Sequence, residues 1–585
     1  MSSIFVLSSL LEHHSSKLLM QQTYNVFIAT LLSFLVIIGW NLVFYNPTQR
    51  ESFHEVQKKE SVKVYESLES TLSTERIKIS SSKLEGSIQL TGLALDDLIL
   101  KDYKSDDLKD QYRLLYPNKT KGAYFINPGW TIPGDPGLRT PSSKTKWQAD
   151  SELLTPGSPV TFSWDNGFGL LFKVVVSIDD NYMFTFKQIV ENKSQNDLSV
   201  GSHFTITKSL PETNKSMLIM HEGPVGVVKD QLMELKYSKI AKKNKSIAFD
   251  EDTQNQRGWF GFSDKYWFVS QIFENSSDGK VYISHIDDKS DDIFRITNFN
   301  AQKIVRGGGL IVKETMLFAG PKKLSLLEEY AQNMRIYLFD RAVDFGVLYF
   351  ITKPISKLLQ VFHHLVGNFG VAIILLTFFI RVLMLPLSIK SGISMFKIKE
   401  LQPEILKIKS MYQNDKDALN RASVELFRKH RVTPMSGCLP TLLQVPVFFA
   451  LYKVIFITVE MRQAPFFLWI SDLSLPDPTN LFTLFGLIDW NCPDFLSIGI
   501  LPIILGLTMV IQQKLSPSHY DDGTQAFMIK AMPYVFMILF ASFPSGLVLY
   551  WVFNNVLSLL QQFVIGKYLF TKKFKAMTKT QESLP

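Results

Sequence analysis

The sequence predicts a helical membrane protein that carries a large β-rich domain on the outer side of the membrane. Two observations lead to this prediction: uncharged apolar runs lie near the amino terminus and in the carboxy-terminal third, and a block of short strand-like segments lies between them. The chain has 585 residues and 46% of them are hydrophobic, so we expect more than one folding unit. Its two cysteines, Cys438 and Cys492, are too few for a disulfide framework or a paired-cysteine metal site.

The first apolar run, from Tyr24 to Phe44, has no charged residue and the length of roughly 20 residues that a bilayer-spanning helix needs. A cleaved signal peptide is the alternative. The run is longer than a usual signal core, however, and no Ala-x-Ala type of cleavage site closes it. We therefore predict a retained first span at 24–45.

Four further apolar regions follow residue 365, and the last of them is too long for one span. It is uncharged from Ala531 to Ile565, so a continuous helix would measure roughly 50 Å against a hydrocarbon core near 30 Å. The sequence Phe543-Pro544-Ser545-Gly546 supplies a break. We predict six transmembrane α-helices with both termini on one side, at 24–45, 365–389, 435–459, 495–513, 528–543 and 546–566.

The formal net charge is +8, and the basic residues are concentrated in short segments that indicate the orientation of the chain in the membrane. Segment 390–432 has ten Lys and Arg against five Asp and Glu, the tail 567–585 is basic, and segment 463–494 has no Lys or Arg. Because basic residues are retained in the cytoplasm, the cytoplasmic parts are predicted to be 1–23, 390–432, 514–527 and 567–585. Residues 46–364 and the loop 460–494 then lie outside, in the periplasm of a cell with two membranes.

The outer block consists of a charged, apolar-poor tether at 46–84 and strand-like segments at 85–323. Many strands without alternating helices predict a β-sandwich. The block lacks a Gly-x-Ser-x-Gly elbow, a His-Glu-x-x-His motif and a phosphate loop. We predict a binding or scaffolding module with no enzyme activity, catalytic residue, metal or cofactor. Residues 324–364 are predicted to form helices along the membrane interface; the alternative is a helix packed on the sandwich.

Arg381 is the most informative residue, because it lies inside the second predicted span and nine residues from Lys390. A charge at that depth costs at least about 2.5–3.5 kcal/mol on insertion scales, so it should face protein or a water-filled groove. A structural ion pair is the alternative, but the other inner spans offer no Asp or Glu at comparable depth. Polar residues that can share the groove are Gln444, Tyr550, Asn554, Asn555, Ser558, Gln561 and Gln562, and ordinary interhelical hydrogen bonding explains the Asn and Gln residues equally well.

The segment Lys390–Arg431 predicts two helices, at 392–411 and 416–430, which form a basic amphipathic hairpin in the cytoplasm. A solvated charged face is the simpler interpretation; docking of clients or of a ribosome is the functional one. The basic tail suits ribosomal RNA or anionic lipid equally. The candidate docking residues are Lys397, Lys399, Lys407, Lys409, Arg428 and Lys429.

Five segments resemble, in order, the hallmark segments of the YidC insertases: VDFGVLYFITKPISKLL (343–359), RVLMLPLSIKSGISMFKIKELQPEI (381–405), PMSGCLPTLLQVPVFFALYKV (434–454), MRQAPFFLWISDLSLPDP (461–478) and FPSGLVLYWVFNNVLSLLQQ (543–562). The outer domain resembles the Gram-negative type through its placement and its closing FAGPKK (318–323). Two features depart from the pattern: Lys453 lies within the third span, and the loop 479–494 is extended.

The resemblance implies a five-helix insertase core with a hydrophilic groove that opens to cytoplasm and lipid. Arg381 matches the family's groove arginine, and Tyr550 and Trp551 match the aromatic pair on the last span that contacts clients together with the third span. The implied function is insertion and folding of nascent membrane proteins, alone or with the Sec translocon, in the bacterial inner membrane, with lipid as a partner and no role for DNA. A carrier that binds small solutes or anions through Arg381 is the alternative, although no internal repeat supports it.

Overall fold

The computed structural model describes residues 65–133, 140–211, 220–228, 231–248, 257–274, 279–288, 291–412, 415–430, 432, 439–486, 488, 497–515 and 523–582. The predicted first span, 24–45, lies outside the described residues. The chain divides into two compact units. The β unit is residues 59–346 with 457–459, and the helical unit is residues 1–58, 347–456 and 460–585.

The described part of the β unit contains twenty strands, and several of them alternate between buried and accessible side chains, whereas β12 is buried along its whole length. In LLFKVVVSI, for example, every second residue from Leu170 to Ile178 is buried, as expected for strands that cover a core with one face. The strands are β1 Arg76–Ser80, β2 Leu84–Gln89, β3 Ala94–Lys104, β4 Gln111–Leu115, β5 Tyr124–Thr131, β6 Gln148–Ala149, β7 Leu153–Leu154, β8 Val160–Asp165, β9 Leu170–Ile178, β10 Met183–Asn192, β11 Leu198–Pro211, β12 Gly223–Val228, β13 Gln231–Glu234, β14 Lys245–Ala248, β15 Arg257–Ser263, β16 Trp267–Glu274, β17 Lys280–Asp288, β18 Asp291–Phe299, β19 Lys303–Val305 and β20 Leu310–Pro321.

These strands form two sheets. Sheet A has the order β14-β17-β18-β11-β5-β3-β2-β1-β7, with β19 paired to β11 and β4 to β3; sheet B has the order β13-β12-β15-β16-β20-β10-β9-β8-β6. The sheets face each other through aromatic side chains, since Phe186 of β10 lies 5.1 Å from Phe204 of β11 and Trp130 of β5 lies 5.2 Å from Phe172 of β9, measured between ring centroids. The outer block is thus rich in β-sheet, as predicted.

Three short helical segments complete the β unit: α1 Leu68–Leu72, α2 Tyr237–Lys242 and α3 Leu324–Asn333, followed by a 3₁₀ turn at Phe339–Ala342. Helix α3 packs on the sandwich, because the Tyr330 hydroxyl donates to Asp179 Oδ2 at 2.5 Å and its ring contacts Phe318. The predicted tether at 46–84 already contains α1 and β1, whose Ile77 and Ile79 are buried. Ordered structure therefore begins earlier than the sequence prediction placed it.

The helical unit contains nine α-helices within the described residues: α4 Tyr349–Val366, α5 Phe369–Leu383, α6 Leu385–Glu400, α7 Gln402–Met411, α8 Lys416–Lys429, α9 Leu439–Ile457, α10 Ile500–Leu515, α11 Gly523–Phe540 and α12 Ser545–Glu582. Two 3₁₀ turns, Val459–Met461 and Leu481–Gly486, follow α9.

By length and composition, one described helix segment, Ser545–Val564, is long and apolar enough to cross a membrane. Helix α5 and the start of α6 pass the same test together, although the chain bends by 59° between them. Shorter apolar helices span Leu442–Ile457, Ile500–Leu515 and Ile529–Phe540. The six-span topology therefore stays a prediction, and the described helices bend within the range predicted for the second span.

Candidate functional site

Arg381 lies in the last turn of α5 and reaches across to α12. Its Nε donates to Asn554 Oδ1 at 2.8 Å, and its Nη2 donates to the Asn554 carbonyl oxygen at 3.2 Å and to Ser558 Oγ at 2.6 Å. Asn554 and Ser558 are four residues apart and therefore share one face of the helix. All hydrogen-bond partners of Arg381 among the described residues are neutral, so the contacts fix the guanidinium while its positive charge stays uncompensated.

The bend between α5 and α6 follows Arg381 by three residues. Pro386 has no backbone N–H and cannot donate to the carbonyl of Val382, whereas the N–H of Met384 still makes the regular helical bond to the carbonyl of Ile380. The range predicted for the second span, 365–389, therefore contains a bend between two helices. Arg381 thus lies at the carboxy-terminal end of α5, close to the bend.

Gln444 of α9 and Tyr550 of α12 form the second polar contact of the site. The Gln444 amide donates to the Tyr550 hydroxyl, and both residues are buried. Tyr550 is one helical turn before Asn554, so the two contacts are neighbours along one face of α12. The structure therefore brings four predicted site residues to this face: Arg381, Gln444, Tyr550 and Asn554.

Trp551 points into an apolar environment instead. Its ring centroid lies 5.0 Å from that of Phe448 on α9 and 5.5 Å from that of Phe540 on α11. Phe536 lies 6.2 Å away. Trp551 therefore belongs to an aromatic cluster between α9, α11 and α12, adjacent to the polar contacts but separate from them.

The predicted basic hairpin corresponds to the end of α6, α7 and α8. The side chains of Lys397, Lys407, Lys409, Arg428 and Lys429 are exposed, and Lys399 belongs to α6. Asp415 begins α8 by accepting from the backbone N–H groups of Asp417 and Ala418. Leu401 and Leu426 are buried, so the hairpin has a small apolar core and a charged outer face.

One contact of the site was missed in the sequence. Asn555 Nδ2 donates to Thr508 Oγ1 of α10 at 3.2 Å and joins α10 to α12 beside the polar face. Asn555 was a candidate, but Thr508 was not, because a threonine within an apolar helix commonly bonds to its own backbone. Thr508 also does this, through the carbonyl of Leu505 at 2.7 Å.

Known protein families match both parts of the chain. A family model described as "60Kd inner membrane protein" matches residues 361–573, and one described as "YidC periplasmic domain" matches residues 76–358. A protein of Rickettsia bellii (strain OSU 85-389) named membrane protein insertase YidC is 41% identical over 556 residues, which cover 93% of this chain and 98% of the relative. The protein of the same name from Rickettsia prowazekii (strain Madrid E) is 40% identical over 559 residues, 93% of this chain and 99% of the relative.

A solved structure described as an active YidC insertase with its first transmembrane domain resolved covers 91% of this chain and 98% of its own, with 17% sequence identity. Its TM-score of 0.34 is too low to support a detailed superposition. The sequence relationships are close and extend over nearly the whole length of each relative, and they include both the β-rich block and the helices that carry Arg381. The chain therefore belongs to the YidC family of membrane protein insertases.

Proposed function

We propose that this protein inserts integral membrane proteins into the bacterial inner membrane and assists their folding. The observation that supports the proposal most directly is the uncompensated charge of Arg381, which Asn554 and Ser558 hold at the break of a predicted span. A fixed charge with spare donors binds water, and water inside the membrane lowers the cost of holding a polar client segment partway across.

In this mechanism the polar face of α12 and the aromatic cluster act on different parts of a client. Arg381 and the Gln444–Tyr550 pair keep the polar segment of the client hydrated. Phe448, Phe540 and Trp551 offer an apolar path toward lipid for the hydrophobic segment of the client, and burial of that segment supplies the driving force. The sequence has no nucleotide-binding motif, and this mechanism requires none.

The partners and the orientation belong to the same proposal. The family relationship supports membrane proteins as clients and the Sec translocon as a cooperating partner. The exposed basic side chains of α7 and α8 suit a ribosome at the cytoplasmic face, and the β unit would lie in the periplasm. Crosslinking from a photoreactive residue at position 409, with and without translating ribosomes, tests the docking role.

The decisive experiment is depletion of the protein, followed by insertion of a small membrane protein with a short translocated tail. We expect that insertion fails and that the wild-type chain restores it. Arg381→Ala should restore it poorly and Arg381→Lys partly, because lysine keeps the charge but loses the planar guanidinium. Normal insertion after depletion would refute the insertase function. Full rescue by Arg381→Ala would refute only the role of Arg381.

An anion carrier is the second candidate, because a buried guanidinium with neutral partners is also what an anion site needs. Proteoliposomes distinguish the two functions. Uptake of a labelled anion that depends on Arg381, together with normal client insertion after depletion, would favour the carrier.

A further inference from the structure

The segment that follows α9 exposes apolar side chains, and two groups of them are neighbours in the sequence. The first ridge is Phe467 and Leu468, which are 56% and 90% exposed. The second ridge is Leu481, Phe482 and Leu484, which are 41–49% exposed. Exposed apolar side chains grouped on ordered backbone indicate an interaction surface.

The first ridge stands on a fixed turn. The N–H of Phe466 donates to the carbonyl of Ile470 at 3.0 Å. The N–H of Leu473 donates to the carbonyl of Ala464, also at 3.0 Å. The ring of Phe466 lies against Gly370, where an added β-carbon would be 2.0 Å from it. Ala464 and Ile470 are buried on either side of this turn, while Phe467 and Leu468 project outward.

The second ridge is fixed in the same way. The N–H of Leu481 bonds to the carbonyl of Ile498 at 3.0 Å, and the N–H of Phe482 bonds to Asn480 Oδ1 at 2.9 Å. These bonds hold the 3₁₀ turn at Leu481–Gly486 against the start of α10. The apolar side chains therefore do not collapse onto the protein.

The backbone at both ridges adopts a conformation that leucine disfavours. Leu468 has φ 61° and Leu484 has φ 46°, in the left-handed region where glycine or asparagine is the easier choice. A strained backbone of this kind persists only where the surrounding structure holds it, as the hydrogen bonds at both turns do. Both strained leucines carry exposed side chains, 90% for Leu468 and 49% for Leu484.

The two charged residues of the segment 463–488 both accept hydrogen bonds from neighbouring groups, and Asp477 is buried. Asp472 accepts from the N–H and hydroxyl of Ser474 at 2.7 Å, and Asp477 accepts from the N–H of Leu501 at 2.8 Å. The segment has no lysine or arginine. The two ridges therefore have no cationic side chain beside them within this segment.

The position of the segment identifies the partner. It bonds to the amino-terminal ends of three apolar helices: Asn368 at the start of α5 donates to the Pro465 carbonyl, Asp477 caps α10, and Ser545 and Gly546 at the start of α12 donate to the carbonyls of Leu475 and Leu473. If these helices cross the membrane, the segment lies at the level where headgroups meet acyl chains.

We propose that the two ridges insert into the outer leaflet and bind phospholipid at the boundary between headgroups and acyl chains. This inference rests on the proposed membrane orientation. Leucine and phenylalanine are the side chains that such an interface takes up, and without cations the ridges do not select anionic lipid. The ridges hold the outer ends of α5, α10 and α12 at a fixed depth in the bilayer.

Fluorescence quenching by nitroxide lipids tests the proposal on the full chain. Each of Phe467, Leu468 and Phe482 is replaced singly by cysteine in a Cys438→Ser, Cys492→Ser background, labelled with an environment-sensitive dye, and reconstituted into phosphatidylcholine vesicles. The matched control is Leu108→Cys in the β unit, because Leu108 is also an exposed leucine, 52% accessible, with φ 62°. Phe378→Cys on α5, where Phe378 is 55% exposed, is the positive control for the span itself.

We expect quenching about threefold stronger at the ridge positions than at Leu108, since interfacial side chains penetrate roughly 5–10 Å. The quenching at the ridge positions should be unchanged when phosphatidylglycerol is added to the phosphatidylcholine vesicles. Quenching at Phe378 but not at any ridge position would overturn the proposal and leave the spanning orientation intact. Failure of quenching at Phe378 as well would overturn the orientation on which both proposals depend. A ridge signal that requires phosphatidylglycerol would contradict the charge-independent interaction.

Discussion

The residue that accepts a hydrogen bond from Arg381 determines whether the charge of the site is neutralised, and this residue is Asn554. The side-chain oxygen of Asn554 fixes Nε of Arg381 without neutralising it. An aspartate at position 554 would keep the geometry and add a charge. The two possible roles of Arg381, a structural anchor and a hydrated cation, can therefore be separated by a single substitution.

For Asn554→Asp we expect insertion of a client to fall several-fold while the thermal midpoint in detergent is kept or raised. A hydrogen bond between charged groups is worth about 1.5–3 kcal/mol, and the new pair removes the free charge that binds water. Asn555→Ala is the control, because it loses only the bond to Thr508. Undiminished insertion by a stable Asn554→Asp chain would show that Arg381 acts only as an anchor.

His203 gives the β unit a titrating group inside a packed environment. Its ring lies 5.6 Å from Phe299, and burial lowers the pKa of the imidazole below its usual value. The unfolded chain therefore binds a proton more readily than the folded chain, so stability decreases as pH falls through the unfolded pKa of about 6.5.

His203→Phe keeps a ring on Phe299 and removes the titration. Between about pH 6.5 and 5 the wild-type chain should lose stability relative to this variant with a slope of at most about 1.4 kcal/mol per pH unit. Urea unfolding of the β-sheet signal in circular dichroism, repeated across this pH range, measures the difference. Parallel curves for the two chains would mean that His203 does not titrate differently on folding.

At the scale of the elements, the contact of α5 with the turn at Phe466 leaves no space at Gly370. A glycine to alanine change within a helix normally stabilises by up to about 1 kcal/mol. At Gly370 the new methyl group would clash with the Phe466 ring. We therefore expect Gly370→Ala to lower the free energy of unfolding by about 1–3 kcal/mol. Thermal unfolding in detergent measures the change.

Gly506→Ala in α10 is the matched substitution, since its nearest contact would be an ordinary 3.4 Å to Met537. It should be neutral or stabilising. Equal effects at Gly370 and Gly506 would contradict the tight packing of the first ridge.

The elements also show what a sequence can predict. The strand-like runs of the outer block are a local pattern and were predicted, and the polar residues of the last predicted span were named as candidates. The pairing of β1 with β7 and the bond from Asn555 to Thr508 join distant residues, and a local pattern carries no information about such partners. Pro386 was visible, but proline is common within membrane helices, so the sequence did not distinguish a tolerated proline from the 59° break.

At the scale of the whole molecule, the orientation follows from the distribution of lysine and arginine. The exposed residues Leu108 of the β unit and Lys409 of α7 should lie on opposite sides of the membrane. In a Cys438→Ser, Cys492→Ser background, a membrane-impermeant maleimide applied to cells with a permeabilised outer membrane should label Leu108→Cys and leave Lys409→Cys unlabelled until the inner membrane is opened. Equal labelling of both positions before opening would refute the orientation.

The central place of β20 in sheet B has a consequence for biogenesis. This strand, Leu310–Pro321, lies between β16 and β10, although it is the last strand of the unit in the chain. A chain delivered from its amino-terminal end presents β6, β8, β9 and β10 and then β12, β13, β15 and β16 as two separate halves with open edges. Only when residue 321 emerges can β20 pair with both β16 and β10 and complete sheet B. The β unit therefore acquires its fold at the end of its export. The helices that follow it reach the membrane just afterwards.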